Sequence, residues 1–546
     1  MRKKYTNIAL VLLGILLINI LGSSFYKRFD LTEDKRYTLS ETTKKITENI
    51  AETIVIKVYL QGDFPAEFKR LQTETKLHLE ELKALNKKIH FRFYNPMDIG
   101  EELINKGLEP SRLQIEENGK LSEIVIFPYA EISYKNKSEF VSLLKDSYTN
   151  SQDEQLESSI QNLEYAFAEV LHKITSKKSK KIAIIKGNGE LDDIYIADFL
   201  KKLSEYYLLA PFTLDSVATN PAKTLNQLSQ FDVAIVAKPT EKFSEEEKFT
   251  MDQYMMNGGK SLWLIDNAQA ELDSLMTTGE SLAYPRDLGL TDLFFNYGVR
   301  INSDLIYDLN SSQITLATGN VGNKTQFNNF NWNYFPLANA LNNHPINNNT
   351  EAVNFKFVSS IDTLKNNISK TILAQSSQLS KTVGIPSIIS LKSISEKVKP
   401  EEFTHGNKPL AVLLEGSFKS AYNNRIKPFK LANTKETGAP TKMIVISDGD
   451  VIANEVSKGK PLQLGVNKWT NQRFGNKDFL LNSVNYLLDD NGLINIRSKT
   501  VKINFLNKQK AFEESTKWQL INIIFPLVLL SVFGVLFNYF RKKKYS

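Results

Sequence analysis

Trp518 to Phe540 reads WQLINIIFPLVLLSVFGVLFNYF, without one charged residue, and runs directly into Arg541-Lys542-Lys543-Lys544. Its length is that of a helix crossing a bilayer, roughly 20 residues. Trp518 at one end and Tyr539 with Phe540 at the other sit where aromatic rings favour the headgroup level. Pro526 is compatible with this reading, because a spanning helix re-satisfies one lost backbone bond. A core helix of a soluble domain would rarely close on four consecutive cations.

The opposite end repeats the pattern. Arg2-Lys3-Lys4 precede an uncharged run from Tyr5 to Tyr26 whose apolar heart is Ile8 to Leu21. A cleaved signal peptide is the competing reading, with Gly22-Ser23-Ser24 as the small residues, although Ser23-Ser24 is a poor cleavage site. The positive-inside bias places both basic ends in the cytoplasm and a loop of roughly 490 residues on the far side. The expected arrangement is therefore a membrane-anchored chain with its bulk outside the cytoplasm and membrane lipid as a partner. Formal charge agrees: 68 Lys+Arg stand against 61 Asp+Glu, and this surplus equals the cations of the two tails. The middle is neutral overall, so no basic excess is available for nucleic acid.

The chain is 546 residues long, 42% apolar and 24% charged, which is ordinary globular material sufficient for two or three domains. Cysteine is absent. That excludes disulfides, thiolate zinc sites, iron–sulfur clusters and cysteine nucleophiles together.

After the first apolar run, Ser40 reads as the N-cap of a short helix to about Ile50. Thr53 to Leu60 is a strand, Pro65 to Leu85 a helix with Phe68, Leu71, Leu79, Leu82 and Leu85 near one face, and Ile89 to Tyr94 a second strand. Arg112 to Glu117 and Leu121 to Phe127 flank Asn118-Gly119 as a hairpin. This order is thioredoxin-like in outline, without redox cysteines. Asp153 to Thr175 is an amphipathic helix, with Leu156, Ile160, Leu163, Phe167, Val170 and Ile174 at steps of three and four. The lysine-rich run 176–181 reads as a solvated linker.

Apolar strands then alternate with helices. Ile182 to Ile185, Val233 to Ala237, Leu262 to Ile265, Leu410 to Leu414 and Met443 to Ile446 are the expected core strands of a parallel, doubly wound sheet. Ser244 with Glu247 forms a capping box opening a helix that stops at Gly258-Gly259. The asparagine-rich stretch Gly319 to Asn349 looks like a long excursion from the sheet, Asn476 to Leu488 is a helix, and Val501 to Phe505 is a last strand before the chain returns to the membrane. The expected organisation is an anchor (1–26), a juxtamembrane segment with the small α/β domain (27–150), a helix and linker (151–181), a larger α/β domain (182–510), a spanning helix (518–540) and a basic tail (541–546).

Three places follow strands, where open α/β sheets hold ligands. Gly187-Asn188-Gly189-Glu190 lacks the G-x-G-x-x-G spacing because position 192 is Asp, and a tight turn accounts for it. Asp448-Gly449-Asp450 offers two carboxylates suited to Mg²⁺ or Ca²⁺, but also reads as an Asp-Gly turn. Glu415-Gly416-Ser417 lacks the nucleophile elbow. His78, His90, His172, His344 and His405 show no metal spacing, and no Walker A motif is present. The residues thus give no catalytic, cofactor-binding or metal site. Gly187, Gly189, Glu190, Glu415, Asp448 and Asp450 remain as candidate ligand or interface loops.

Arg28-Phe29-Asp30-Leu31-Thr32 with Tyr37-Thr38-Leu39-Ser40 resembles the juxtamembrane signature of auxiliary subunits of bacterial ABC-2-type transporters. Lys186-Gly187-Asn188-Gly189-Glu190, Asn257-Gly258-Gly259-Lys260, Leu414-Glu415-Gly416-Ser417-Phe418, Val445-Ile446-Ser447-Asp448-Gly449-Asp450 and Gly475-Asn476-Lys477-Asp478-Phe479 are similar to that family in order and spacing, especially to its gliding-motility branch. The resemblance implies a non-enzymatic protein of the bacterial inner membrane with the bulk of its chain periplasmic, often labelled substrate-binding, working with a permease and an ATPase subunit. It also implies an amidotransferase-like fold for the larger domain, whose cysteine nucleophile this chain lacks. Cargo, envelope proteins or a second copy are the expected contacts outside the membrane. A tethered hydrolase using Glu190, Asp448 or Asp450, and a solute receptor, are the alternatives.

Overall fold

The computed structural model describes residues 14, 30, 32, 35–62, 64–117, 120–145, 152–322, 324–339, 341, 343–499 and 508–545. The first apolar run (Gly14 apart), the Asn118-Gly119 turn and the expected strand Val501 to Phe505 lie outside them. The chain divides into two units, Met1–Thr500 and Val501–Ser546.

In the first unit, α1 (Glu41–Glu48) is capped by Ser40, whose side chain accepts from the Thr43 N–H. Strand β1 (Ile54–Val58) buries Ile54, Ile56 and Val58 and leaves Val55 exposed, the alternation of a strand with one face on a core. It pairs in parallel with β2 (Ile89–Phe93), across the helix α2 (Ala66–Leu85). Phe68, Leu71, Leu79 and Leu82 of that helix are buried, whereas Leu85 is exposed at its last turn. Strands β3 (Ser111–Glu117) and β4 (Lys120–Ile126) form the expected hairpin, as a separate ribbon. Two strands not expected from the sequence complete the small sheet. These are β5 (Tyr129–Tyr134) and β6 (Lys137–Ser142), giving the order β2-β1-β5-β6.

The helix α3 (Gln152–Thr175) buries all six residues of its apolar stripe. It also buries Tyr165, Ala168 and Leu171, with Tyr165 and Ala168 packed against Ile494 and Ile496. It is therefore an internal connector between the small sheet and the larger one, and more than an amphipathic surface helix.

The larger sheet has seven strands. They are β7 (Lys181–Lys186), β8 (Leu208–Thr213), β9 (Val233–Ala237), β10 (Lys260–Leu264), β13 (Ser369–Gln375), β14 (Pro409–Lys419) and β15 (Thr437–Ile446), in the order β13-β14-β15-β10-β9-β7-β8. Strands β15, β10, β9, β7 and β8 run parallel, while β14 is antiparallel to both its neighbours. The sheet is thus mixed, where the apolar runs alone suggested a parallel one. Alternate residues face two separate cores: Ile182, Ile184, Leu262 and Ile444 one, Ala183, Ile185, Trp263 and Val445 the other. Burial on both faces is why these strands read as continuous apolar runs. Helices α4 (Ala197–Ser204) and α6 (Asn476–Leu488) contribute to the first core, and α5 (Glu245–Met256) to the second. The capping box of Ser244 and Glu247 opens α5. The asparagine-rich excursion holds a long antiparallel hairpin, β11 (Ser311–Val321) and β12 (Lys324–Ala338), outside the seven-stranded sheet.

The second unit carries one long helix, α7 (Ser515–Tyr545), with Pro526 inside it. Over Ser515–Lys544 it is long and apolar enough to cross a membrane, and its apolar window is not buried against protein.

Candidate functional site

Because β9, β10 and β15 are parallel and in register at Ala237, Leu264 and Ile446, their carboxyl ends deliver Lys238, Asp266 and Asp448 to one edge. The Lys238 ammonium lies 2.7 Å from Asp450 Oδ1 and 3.3 Å from Asp266 Oδ2. Asp266 also accepts from the Gly449 N–H. Asp448 accepts at both oxygens, from the Asp450 N–H and the Lys356 N–H, each at 2.6 Å. Gly449 has no room for a side chain: a Cβ would meet Lys238 Cγ at 2.4 Å.

Electrostatics follow burial. Asp448 is fully buried, and desolvation, then the Asp450 and Asp266 charges, push its carboxyl well above the usual range. Burial raises Asp266 to about 6 against the pull of Lys238. Burial alone would lower the Lys238 ammonium, but Asp450 and Asp266 outweigh it and the net shift is upward. Oxygens of Asp266, Asp448 and Asp450 come within 4.8 Å of one another, so these three residues could ligate a cation. The chain's own ammonium already bridges two of them. The arrangement is an ion cluster that ties three strand ends together, and Asp448-Gly449-Asp450 is a turn within it. Lys238 and Asp266 escaped the sequence reading, although each comes just after an apolar strand run.

Gly187, Gly189 and Glu190 stand on the same edge, between β7 and β9. With β8 on the other side of β7, the chain reverses its direction of sheet growth there, the switch point where doubly wound sheets bind ligands. Here the crevice is closed. The N–H groups of Thr240 and Glu241 donate to the Asn188 carbonyl at 2.9 Å, and Asn188 Nδ2 donates to Glu247 at 3.1 Å. Glu190 Oε2 accepts from the Asn188 N–H at 2.8 Å, and burial raises this carboxyl. Glu415 does not join them. Strand β14 is antiparallel, so its far end lies beside Lys442, and Glu415 accepts from the Tyr486 hydroxyl at 3.1 Å on the opposite edge.

That opposite edge also has a cleft of about 330 Å³, where the amino ends of β7 and β8 meet α3 and the end of α6. Tyr165, Glu169, His172, Tyr206, Tyr207 and Asn485 are among its lining residues. The Tyr207 hydroxyl donates to Asn485 at 2.7 Å, and burial raises the Glu169 carboxyl. Lys173 at its rim bridges Glu139 of β6 and Glu205 at 2.8 and 2.9 Å. Lys177, Lys178 and Lys180 line the mouth, so the run read as a plain linker borders the cleft.

A mixed α/β body followed by a bilayer-length helix is the class these elements define. The family described as an ABC-type uncharacterized transport system matches residues 179–483, more than half of the chain, and a domain of unknown function matches residues 33–133. The chain belongs to that family of ABC-type transport-system auxiliary proteins. It is 23% identical to an uncharacterized protein of Borreliella burgdorferi, over 98% of both chains. Among solved structures, the mmIFT52 N-terminal domain matches 57% of this chain and 99% of its own at 13% identity, with a TM-score of 0.33, too slight to inform the fold.

Proposed function

We propose that the chain is a non-catalytic, membrane-anchored subunit of a bacterial ABC transporter, with its folded body outside the inner membrane and both termini in the cytoplasm. The observation carrying this reading is the family match over the larger domain, joined to an apolar helix that closes on Arg541-Lys542-Lys543-Lys544. Permease and ATPase subunits are its partners, with lipid around the spans. The juxtamembrane and strand-end motifs support GldG, the gliding-motility member, as the nearest kind. The order β2-β1-β5-β6, with β1 parallel to β2 and antiparallel to β5, supports a thioredoxin-like small domain. The parallel strands of the larger sheet are compatible with an amidotransferase-like body without its cysteine. Affinity purification in mild detergent is expected to recover the permease and ATPase; repeated recovery of the chain alone would overturn the proposal.

The cleft at the amino ends of β7 and β8 favours a second reading, a solute receptor, since about 300–1,000 Å³ is the size range of small-molecule sites. A thermal-shift screen with periplasmic metabolites tests it, and a flat response leaves the scaffold reading. The hydrolase reading has weaker support, because Asp448, Asp450 and Glu190 are committed to turn and ion-pair contacts.

A further inference from the structure

The cleft at the amino ends of β7 and β8 does not stop at its lysine mouth. Lys173, Ser176, Lys177, Lys178 and Glu205 also line a second hollow of about 460 Å³, which Lys137 and Glu139 of β6 help to wall. The two hollows therefore adjoin along one row of side chains, and their chemistry differs.

The first hollow is apolar and self-satisfied. Tyr165, Leu488 and Ile494 are buried in its lining. The Tyr207 hydroxyl donates to Asn485, whose Nδ2 donates to the Tyr165 hydroxyl at 3.5 Å. Its acids are taken up within the chain: Asp490 Oδ2 lies 2.5 Å from Lys180, and Asp489 accepts from the N–H groups of Asn491 and Leu493 at 3.1 and 3.0 Å. The second hollow is basic. Lys137, Lys173, Lys177 and Lys178 face Glu139 and Glu205 there, a surplus of two positive charges. Lys173 bridges both glutamates, and Lys178 donates to the Ser204 carbonyl. Among the described residues no carboxylate pairs with Lys137, Lys177 or Lys178. Like charges gathered in a concave surface repel one another and favour an anion between them.

We propose that the adjoining hollows form one site for an organic phosphate, its head among Lys137, Lys177 and Lys178 and its apolar or aromatic body along Tyr165, Tyr207 and Leu488. This rests on the solute-receptor reading of the cleft and adds the class of ligand to it. A phosphate monoester carries about −1.5 to −2 at pH 7, which the surplus of two matches and a single carboxylate does not. Lysine holds phosphate as a point charge. An apolar lining with a few convergent charges is the usual make-up of a small-molecule site. The bound head would tie β6 of the small sheet to the run 176–181 that leads into β7. A free ester and a lipid phosphate share this chemistry.

The test is isothermal titration of the full-length chain in phosphatidylcholine nanodiscs, with empty nanodiscs as the blank. Phenyl phosphate, phenol and benzylamine present one ring with a dianionic, a neutral and a cationic head. Phenyl phosphate is expected to bind tightest, and Lys177→Ala/Lys178→Ala to weaken it about tenfold while leaving phenol unchanged, which also shows that the variant folds. Phosphatidic acid added to the nanodisc is expected to compete if the natural head is a lipid's and to leave binding unchanged if it is a free ester's. Phenyl phosphate binding no tighter than phenol, or indifferent to the two substitutions, would overturn the phosphate assignment and leave the receptor reading standing. Failure of all three probes to bind would overturn both.

Discussion

Lys499 Nζ lies 2.8 Å from Glu164 Oε2, joining the last described stretch of the first unit to the middle of α3. The other oxygen, Oε1, accepts from the Ser40 N–H at 2.7 Å and the Thr43 hydroxyl at 2.8 Å. Lys499 donates as well to the Thr38 carbonyl at 2.8 Å. The segment leading into the small sheet and the segment following the large one therefore converge on one buried carboxylate. Burial acts to raise this acid, but Lys499 and the hydrogen bonds outweigh it, so its pKa is lowered.

Lys499→Met leaves Glu164 uncompensated and is expected to cost about 3 kcal/mol, since breaking a buried pair is costly. Glu164→Leu/Lys499→Met should recover part of that. A lowered acid contributes stability that is present above its ordinary pKa and lost as pH falls through the folded value. The single-variant deficit should therefore shrink at acid pH, as read by urea unfolding at pH 7 and pH 3. An equal deficit at both would contradict this.

His78 is half-buried on α2 beside the same cluster, its ring centroid 5.4 Å from that of Phe167, with Glu164 and Lys499 as the charges acting on it. Burial lowers it to about 4, against the pull of Glu164. Its contribution is present above about 6.5 and lost as pH falls towards 4. His78→Leu is expected to gain about 2 kcal/mol at pH 5 relative to its effect at pH 7.5. A pH-independent effect would show that the imidazole titrates alike in the folded and unfolded chain.

At the carboxyl edge, Lys238→Met exposes Asp266 and Asp450 to each other's charge. The expected loss is about 3–5 kcal/mol at pH 7.5. Asp266 titrates near 6, above its ordinary value, so its contribution is complete below about 4 and lost as pH rises through 6. The variant should therefore recover much of its stability at pH 4.5, a difference readable from denaturant midpoints. No recovery there would mean that the ammonium serves packing alone.

Gly189 has φ +70, and a Cβ there would lie 2.1 Å from Thr240 Oγ1. Gly189→Ala should cost about 1–3 kcal/mol, from backbone strain and this collision. Gly189→Ala/Thr240→Ala should recover the collision part and retain the strain. Full recovery would contradict the left-handed requirement at this turn.

Long elements with strong local signals were legible in the sequence. Asn476 to Leu488 is a helix over that same span, and the Ser244–Glu247 capping box is present. Elements defined by their neighbours were not. Strand β8 is a half-exposed edge containing Pro211, and β5 and β6 mix charges with apolar residues, so neither gives a long apolar run. The asparagine-rich stretch concealed a hairpin because its pairing groups are polar. Asp448 and Asp450 were legible as a strand-end pair, but Lys238 and Asp266 reach them only through the parallel register of three strands. Glu415 looked equivalent until the reversed direction of β14 placed it on the other edge.

The central claim is that the folded body lies outside the inner membrane, with the basic tail inside. The natural chain has no cysteine, so single-cysteine variants report position directly. Spheroplasts carrying Thr277→Cys or Ser546→Cys would be treated with a membrane-impermeant maleimide. Labelling of Thr277→Cys in intact spheroplasts, with Ser546→Cys labelled only after lysis, is the result expected; the reverse pattern would contradict the account.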